Sequence, residues 1–193
     1  MIGVFWKCLN TINIETKKII YHSLVESYLN FGIMIWCSEL SKNLMSEKDL
    51  NHIPDRLLPI RTSQNKILRA IHGKAKKNKV TSEYCASSPL YKQLNVLKFH
   101  DLYYFNLCTL AYDYHNAKLF PEAIHEKFNH QQSNHCLRSN NLNLTYSMPS
   151  LASTYKKPSI ASSIIWNKIP ISIRKLPKSS FKNKLKQYFI DKY

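Results

Sequence analysis

Three histidines and a cysteine lie near one another in the chain and are the residue types that could form a zinc site. His125, His130, His135 and Cys136 offer imidazole and thiolate groups, which zinc binds with tetrahedral geometry. However, the chain has no Cys-x-x-Cys pair, and these four residues fall in a polar segment without helical or strand periodicity. We therefore expect no metal site and no cofactor. Zinc binding by this group is the alternative.

The carboxylates do not form the clusters that catalysis by two metal ions requires. They are dispersed, with no adjacent Asp-Asp, and Glu122 and Glu126 share a helix face as they do on many ordinary surface helices. With only 3 glycines, the chain has no glycine-rich loop that could cradle a phosphate. Cys85 and Cys136 are candidate nucleophiles without an ordered partner in the sequence. The sequence therefore does not support catalysis by this chain on its own.

The charge of the chain is its most unusual property. It has 28 Lys+Arg against 12 Asp+Glu, a formal net charge of +16. Such an excess favours a polyanionic partner, nucleic acid first and an anionic membrane surface second. We expect phosphate contacts from eight cations, which are Arg61, Arg69, Lys74, Lys76, Lys77, Lys79, Lys182 and Lys186.

No apolar run is long enough to span a bilayer, and the amino terminus does not resemble a secretion signal. The five cysteines are odd in number and widely scattered, which indicates reduced thiols and an intracellular location, in the cytoplasm or nucleus. We therefore expect no membrane partner.

Helical periodicity indicates how the cations are positioned. Between Thr16 and Trp36, apolar residues recur in pairs at 20/21, 24/25, 28/29, 31/32 and 35/36, which predicts one core helix of about five turns. The alternative for this stripe is an aromatic platform on which bases stack. We assign Trp36 and Trp166 to core packing.

A second helix is predicted to begin at Pro59 and to stop at Gly73. Its Arg61, Asn65 and Arg69 form a polar stripe at four-residue spacing. The lysine run of residues 74–79 follows directly, as a phosphate contact or as a solvated loop.

Ser88-Pro89 predicts another helix start, and residues 99–114 are apolar nearly all round, which is typical of a buried helix. Pro121 predicts a short helix that ends at Phe128. In the polar segment that follows, a strand is the possible interpretation of residues 144–148.

The last helix is predicted to begin with Ser179 or Ser180 as its N-cap. Helical spacing places its apolar side chains on one face and its lysines on another. Phe181, Leu185, Tyr188 and Phe189 form the first, and Lys178, Lys182 and Lys186 the second. A solvated amphipathic helix that closes a small domain is the alternative to a binding surface.

The predicted fold class is mostly α, an irregular helical bundle with a long polar loop at about 129–158 and a C-terminal amphipathic helix. The predicted segments are a thumb-like helical segment at 1–72, a post-thumb helical segment at 73–128 after the basic loop, the polar loop, and a C-terminal segment at 159–193. The last contains a Trp-Asn-x-x-Pro turn and the basic helix.

Several segments together resemble reverse transcriptases of non-LTR (LINE-type, jockey-like) retrotransposons. Residues 20–36 resemble the segment after the palm, and residues 64–71 resemble the next helix, where a glutamine-lysine pair and an arginine recur. The remaining matches are a short leucine motif, a His-x-x-Arg remnant, and the Trp-Asn-x-Leu-Pro and Ser-Phe-Lys ending, at residues 94–97, 135–138, 166–170 and 180–182. Ile169 stands where the family usually has leucine.

The resemblance implies a thumb and post-thumb region of an RNA-directed DNA polymerase, which grips template and primer beside the active site. The palm with its catalytic aspartates has no counterpart in these residues, so the resemblance does not imply activity in this chain. The expected partners are RNA or an RNA–DNA hybrid and other reverse-transcriptase segments. The alternatives are a protein-interaction or scaffold module, a non-functional remnant, and an enzyme completed by polymerase subunits from elsewhere.

Overall fold

A computed structural model describes residues 12–45, 50–73, 86–116, 129–130, 142–146 and 156–193, and most of them are helical. The fold class predicted from the sequence, a mostly α irregular helical bundle, is confirmed. In chain order the α-helices are α1 (Ile14–Ile20), α2 (Ser27–Asn30), α3 (Ile33–Trp36), α4 (Lys42–Met45), α5 (Leu58–Ile71), α6 (Ser88–Leu94), α7 (Phe99–Asn116), α8 (Pro158–Lys168), α9 (Ile171–Arg174) and α10 (Lys178–Ile190). A π-helix spans Tyr21–Glu26, and 3₁₀-helices span Ser38–Ser41 and Asp55–Leu57.

Two short strands accompany the helices. β1 (Asn129–His130) pairs antiparallel with β2 (Leu144–Thr145), with Asn129 opposite Thr145 and His130 opposite Leu144. The strand predicted at 144–148 is therefore present at its first two residues. The helix predicted from Pro121 to Phe128, and most of the polar loop at 129–158, lie outside the described residues.

The described residues form two compact units, each built from segments that are distant in sequence. The first contains the described residues of Met1–Gly32, Asp55–Phe99 and Tyr188–Tyr193. The second contains those of Ile33–Pro54 and His100–Gln187. The division into four consecutive segments made from the sequence remains a prediction.

The long helix predicted between Thr16 and Trp36 is interrupted, and only one of its two apolar columns is buried. The first unit buries Tyr21, Val25 and Leu29, each four residues after the last. A four-residue step exceeds one α-helical turn of about 3.6 residues, and the wider turns of the π-helix offset that drift. The second column is exposed at Leu24, Tyr28, Phe31 and Ile35. The prediction of a two-residue-wide core stripe was wrong for this column.

The break follows from Gly32, which has a φ of +63°. A residue with a side chain rarely adopts this left-handed conformation, whereas glycine adopts it readily. The helix that starts before it therefore ends, and the chain resumes as α3. Trp36, which was assigned to core packing, is half-buried in the second unit.

Local signals located the next helices well. α5 has proline in its first turn and ends before Gly73, whose φ is +68°, so the predicted start and stop are confirmed. α6 has the predicted Ser88-Pro89 start, and it ends at Asn95 in the left-handed conformation (φ 54°, ψ 46°). The Val96 N–H then bonds to the Tyr91 carbonyl at 3.0 Å, which closes the helix end.

The C-terminal helix starts one turn earlier than Ser180 would place it. α10 begins at Lys178, and the Phe181 N–H donates to the Pro177 carbonyl at 2.8 Å. The prediction that Ser179 or Ser180 is the N-cap was therefore wrong. Both serines lie inside the first turn and are exposed. The Pro177 carbonyl accepts the first helical hydrogen bond, so Pro177 occupies the position before the helix that was predicted for a serine.

Candidate nucleic-acid interface

Helix α10 packs on the second unit through the aromatic side of its first two turns. Phe181 and Leu185 are fully buried, and the Phe181 ring stacks on Tyr112 with 4.2 Å between ring centroids. The Tyr112 hydroxyl donates to the Leu176 carbonyl at 2.8 Å, in the turn just before the helix. These contacts fix the helix, so that the opposite side chains project from a rigid support.

Four lysines of α10 lie in this part of the second unit, and one of them is neutralised. The Lys178 ammonium lies 2.7 Å from the Asp113 carboxylate. Lys182 and Lys184 are exposed and Lys186 is half-buried. These three make no hydrogen bond or ion pair with any residue in the described ranges. They are therefore available to an anion, and the phosphate contacts predicted at Lys182 and Lys186 remain a prediction.

The sequence that leads up to this helix and forms it contains no acid. Between Lys127 and Ile190 the chain has no Asp or Glu, while cations recur throughout, including Lys168, Arg174 and Lys175. Exposed charges of one sign on a common surface add to a field that attracts and orients polyanions. The positive charge of the chain is thus concentrated toward its C-terminal third.

The Trp-Asn motif of α8 holds the segment that leads into β2. The Trp166 indole N–H donates to the Leu142 carbonyl at 2.6 Å. The Asn167 side chain bonds to both backbone groups of Leu144, accepting from its N–H at 3.0 Å and donating to its carbonyl at 2.8 Å. Asn167 therefore mimics a neighbouring strand. Trp166 itself is fully buried, as predicted.

Arg174, at the end of α9, bonds to the same segment. Its Nη1 donates to the Leu142 carbonyl at 3.1 Å and to the Asn143 Oδ1 at 2.9 Å, and its guanidinium carbon lies 5.7 Å from the centre of the Trp166 ring. The residue is only 5% exposed. Sequence analysis did not single it out, because an arginine followed by Lys175 in a short basic connector looks like any exposed cation.

In the first unit, the predicted stripe of Arg61, Asn65 and Arg69 does not act as one surface. Arg61 is exposed and has no partner among the described residues, whereas Arg69 is half-buried. Asn65 lies between them, and its Oδ1 is 2.9 Å from the Tyr91 hydroxyl, which donates to it. Arg61 therefore remains the clearest candidate of this stripe for a phosphate contact.

Gln64 is the polar centre of the first unit, and sequence analysis did not identify it as such. Its Nε2 donates to the Tyr21 hydroxyl at 2.8 Å and to the Leu97 carbonyl at 2.9 Å. Its Oε1 accepts from the Phe99 N–H at 3.0 Å and lies 3.0 Å from the Tyr91 hydroxyl, whose single proton it shares with the Asn65 Oδ1. Four hydrogen bonds are the full capacity of an amide side chain.

These bonds join segments that the resemblance treats as separate motifs. Phe99 is the first residue of α7, so its N–H has no partner within that helix. The preceding N–H, of Lys98, donates to the Tyr193 hydroxyl at 2.9 Å, and the Lys98 ammonium lies 4.0 Å from the centre of the Tyr193 ring. Gln64 and Tyr193 thus supply the start of α7 with acceptors.

Several residues that were predicted to bind phosphate or metal, or to act as nucleophiles, lie in segments that the structure does not describe. Lys74, Lys76, Lys77 and Lys79 lie outside the described residues, and so do Cys85, His125, His135 and Cys136. Within the described ranges, no group of three or more His, Cys, Asp or Glu side chains could hold a metal ion. The thiol of Cys37 is fully buried, and burial raises its pKa far above that of a free cysteine, so it is no nucleophile at neutral pH.

The aromatic platform proposed as an alternative for residues 16–36 keeps two rings at the surface. Tyr28 is 69% exposed and Phe31 is 83% exposed. They are three residues apart, a spacing that places side chains on one helix face. Base stacking at these rings stays a hypothesis.

Among the described helices, none is both long and apolar enough to cross a lipid bilayer. Comparison of the chain with protein-family models, with curated proteins and with solved structures finds no match.

Proposed function

We propose that this chain is a non-catalytic nucleic-acid-binding segment of a non-LTR retrotransposon reverse transcriptase, and that it grips an RNA–DNA hybrid or RNA through phosphate contacts. The family rests on the resemblance of the motifs given above, and the binding role rests on the chemistry of the C-terminal region. Lysine ammonium groups bind phosphate oxygens as point charges and carry no sequence information. The grip is therefore independent of sequence.

One observation carries the proposal. Helix α10 buries Phe181 and Leu185 while Lys182, Lys184 and Lys186 have no partner in the described part of the chain. If these lysines only kept the chain soluble, they would not need to lie on a helix that is fixed by buried contacts. On an ordinary surface, acidic side chains placed among them would also form ion pairs with them. Here the support is rigid and no acid lies between Lys127 and Ile190. This combination favours a phosphate-binding face.

The test is fluorescence anisotropy of the purified chain with a labelled RNA–DNA hybrid, between about 50 and 200 mM salt. Phosphate neutralisation releases counterions, so we expect the logarithm of the affinity to fall linearly with the logarithm of the salt concentration. Combined Lys182→Gln, Lys184→Gln and Lys186→Gln substitution should reduce that slope by about 2 to 3, since each phosphate contact contributes about one unit.

The matched control replaces the same three lysines with arginine, which keeps the charge and should keep the slope. A second variant removes the charges of Lys74, Lys76, Lys77 and Lys79, and we expect it to reduce the slope as well. Absent or salt-insensitive binding by a chain that circular dichroism shows to be folded would contradict the proposal. An unfolded chain would identify it as a remnant.

A protein-interaction or scaffold module is the second candidate, and the exposed apolar column of the first unit favours it. Leu24 is 47% exposed, in line with the more exposed Tyr28 and Phe31. Exposed apolar side chains in one row are typical of surfaces that another protein covers. Under this alternative, a Tyr28→Ser and Phe31→Ser variant would change the sedimentation behaviour of the chain, and hybrid binding would be absent in both forms.

A further inference from the structure

The guanidinium of Arg174 is a buried positive charge without a paired acid among the residues that the structure describes. The residue is 5% exposed, and no carboxylate in the described part of the chain pairs with it. Burial lowers the pKa of the group, and no neighbouring acid offsets that effect. A buried charge without a counter-charge is costly, and a bound anion would remove that cost.

Among the described residues, only Nη1 of the guanidinium has hydrogen-bond partners. Nη1 makes both hydrogen bonds, to the Leu142 carbonyl and the Asn143 Oδ1. Nε is fully buried and has no hydrogen-bond partner in the described structure, and Nη2 makes no hydrogen bond there either. The Nε–Nη2 edge presents two parallel N–H groups, the arrangement that binds a phosphate or carboxylate through two bonds at once.

The surroundings hold this edge in place. The Leu142 carbonyl accepts from both Trp166 Nε1 and Arg174 Nη1, and Asn167 fixes the neighbouring Leu144 through both of its backbone groups. The Trp166 ring lies beside the guanidinium. A guanidinium held in this way loses little conformational freedom on binding an anion, which favours affinity.

We propose that the Nε–Nη2 edge of Arg174 binds a single phosphate group of a nucleic-acid backbone, as a buried contact beside the exposed lysines of α10. Phosphate is favoured over a carboxylate ligand because the surrounding sequence carries only positive charge from Lys127 to Ile190, which suits a polyanion. The inference rests on the proposed function for the source of the phosphate. It assigns the contact to one residue and one edge.

The first experiment observes the Arg174 Nε–H signal of the intact chain by ¹⁵N NMR, assigned by its loss in Arg174→Lys. Inorganic phosphate and the RNA–DNA hybrid are added separately, with sodium chloride at matched ionic strength as the control. We expect a saturable downfield shift and slower solvent exchange with both phosphate probes and neither with chloride. An unchanged signal overturns the inference, and so does a signal that is already downfield and protected without ligand, because another group of this chain then occupies the edge.

The second experiment separates this inference from the proposed function. Arg174→Lys keeps the charge but loses the two-bond geometry, so we expect hybrid affinity to fall about tenfold or more with little change in the salt slope. Substituting Lys182, Lys184 and Lys186 with glutamine changes the slope instead. Hybrid binding that is lost on that lysine substitution but unchanged in Arg174→Lys overturns this inference alone. No hybrid binding by the folded wild-type chain overturns the proposed function.

A folding control accompanies these variants. If Arg174 serves the ligand, inorganic phosphate should raise the unfolding temperature of the wild type and leave that of Arg174→Met unchanged. If it serves only the fold, phosphate should affect both forms equally, which overturns the inference. The NMR measurement on the wild type needs no folded variant and decides the question even if Arg174→Met does not fold.

Discussion

Gln64 in the first unit and Arg174 in the second are both buried polar side chains, 2% and 5% exposed, but their hydrogen bonds are filled to different extents. The neutral amide of Gln64 uses all four of its positions on Tyr21, Tyr91, Leu97 and Phe99. The charged guanidinium of Arg174 uses one nitrogen, and its Nε–Nη2 edge has no hydrogen-bond partner in the described part of the chain. A filled neutral group specifies a fold, whereas a charged group with an open edge retains the capacity to bind a ligand.

The largest effect is expected from removing the filled group. Gln64→Leu has a similar volume but removes the Gln64 partner of the Tyr21 hydroxyl, the Leu97 carbonyl and the Phe99 N–H in a buried site, whereas the Tyr91 hydroxyl keeps its bond to the Asn65 Oδ1. Each unsatisfied group costs about 1 to 3 kcal/mol, so we expect a loss of about 3 to 5 kcal/mol in the free energy of unfolding, measured with urea.

Gln93→Leu is the matched control, because Gln93 lies exposed on α6 and the same substitution there should change stability by less than about 0.5 kcal/mol. Equal effects at Gln64 and Gln93 would show that the four bonds contribute nothing.

The same comparison applied to Arg174→Met should give a smaller loss than Gln64→Leu, since removing an unbalanced charge recovers part of the cost of burying it.

The contrast between these two residues also shows where sequence analysis reached its limit. The bounds of α5 and α6 depend on proline, glycine and the four-residue spacing of apolar side chains, all of which are local. Gln64 shares its helix with Arg61, Asn65 and Arg69, and nothing within the helix distinguishes a buried glutamine from an exposed one. Its role depends on residues 27 to 43 positions away in the chain.

The same limit explains the error at residues 16–36. Periodicity identifies an apolar face but not how wide a partner covers it, and here the partner covers only the column of Tyr21, Val25 and Leu29. For the candidate site, the charged face of α10 was predictable from spacing, since Lys182 and Lys186 alternate with Phe181 and Leu185. The burial of Arg174 was not, because it requires Leu142 and Asn143, about thirty residues earlier.

A smaller effect is expected at Asn167, which holds the segment beside Arg174. Asn167→Ala leaves both backbone groups of Leu144 without that partner, and we expect a loss of about 1 to 3 kcal/mol in the free energy of unfolding. Asn183→Ala on the exposed side of α10 is the control and should be nearly neutral. If Asn167→Ala also weakens hybrid binding in the folded chain, the two bonds of Asn167 to Leu144 help to position the Arg174 edge.

Alkaline pH tests the contribution of the buried tyrosine hydroxyls to the stability of the chain. Burial raises the pKa of Tyr21 in the first unit and of Tyr103 and Tyr104 in the second above the ordinary tyrosine value of 10.0. The unfolded chain then loses these protons at lower pH than the folded chain. The stability they contribute is fully present below pH 10 and decreases as the pH rises beyond it.

Tyr104→Phe removes one of these groups. Above pH 10 we therefore expect the free energy of unfolding of this variant to fall less steeply with pH than that of the wild type, with a difference between the two slopes of about 1.4 kcal/mol per pH unit. Urea unfolding at a series of pH values measures the slope. Below pH 8 the two slopes should coincide, because the hydroxyl is protonated in both states. Parallel slopes above pH 10 would mean that Tyr104 ionises in the folded chain.

The smallest effect is expected at the ion pair of Lys178 with Asp113. The corresponding variant tests whether this acid reduces the number of α10 lysines that can bind phosphate. The pair is partly exposed, so Asp113→Asn should cost less than about 1 kcal/mol of stability. It should also release a fourth lysine to phosphate and steepen the salt dependence of hybrid binding by up to about one unit. Glu15→Gln is the matched control, since it breaks the exposed pair with Lys18 and changes the net charge equally. A steeper slope in Asp113→Asn alone would locate the contact at α10, whereas equal slopes in both variants would show that the hybrid responds only to net charge.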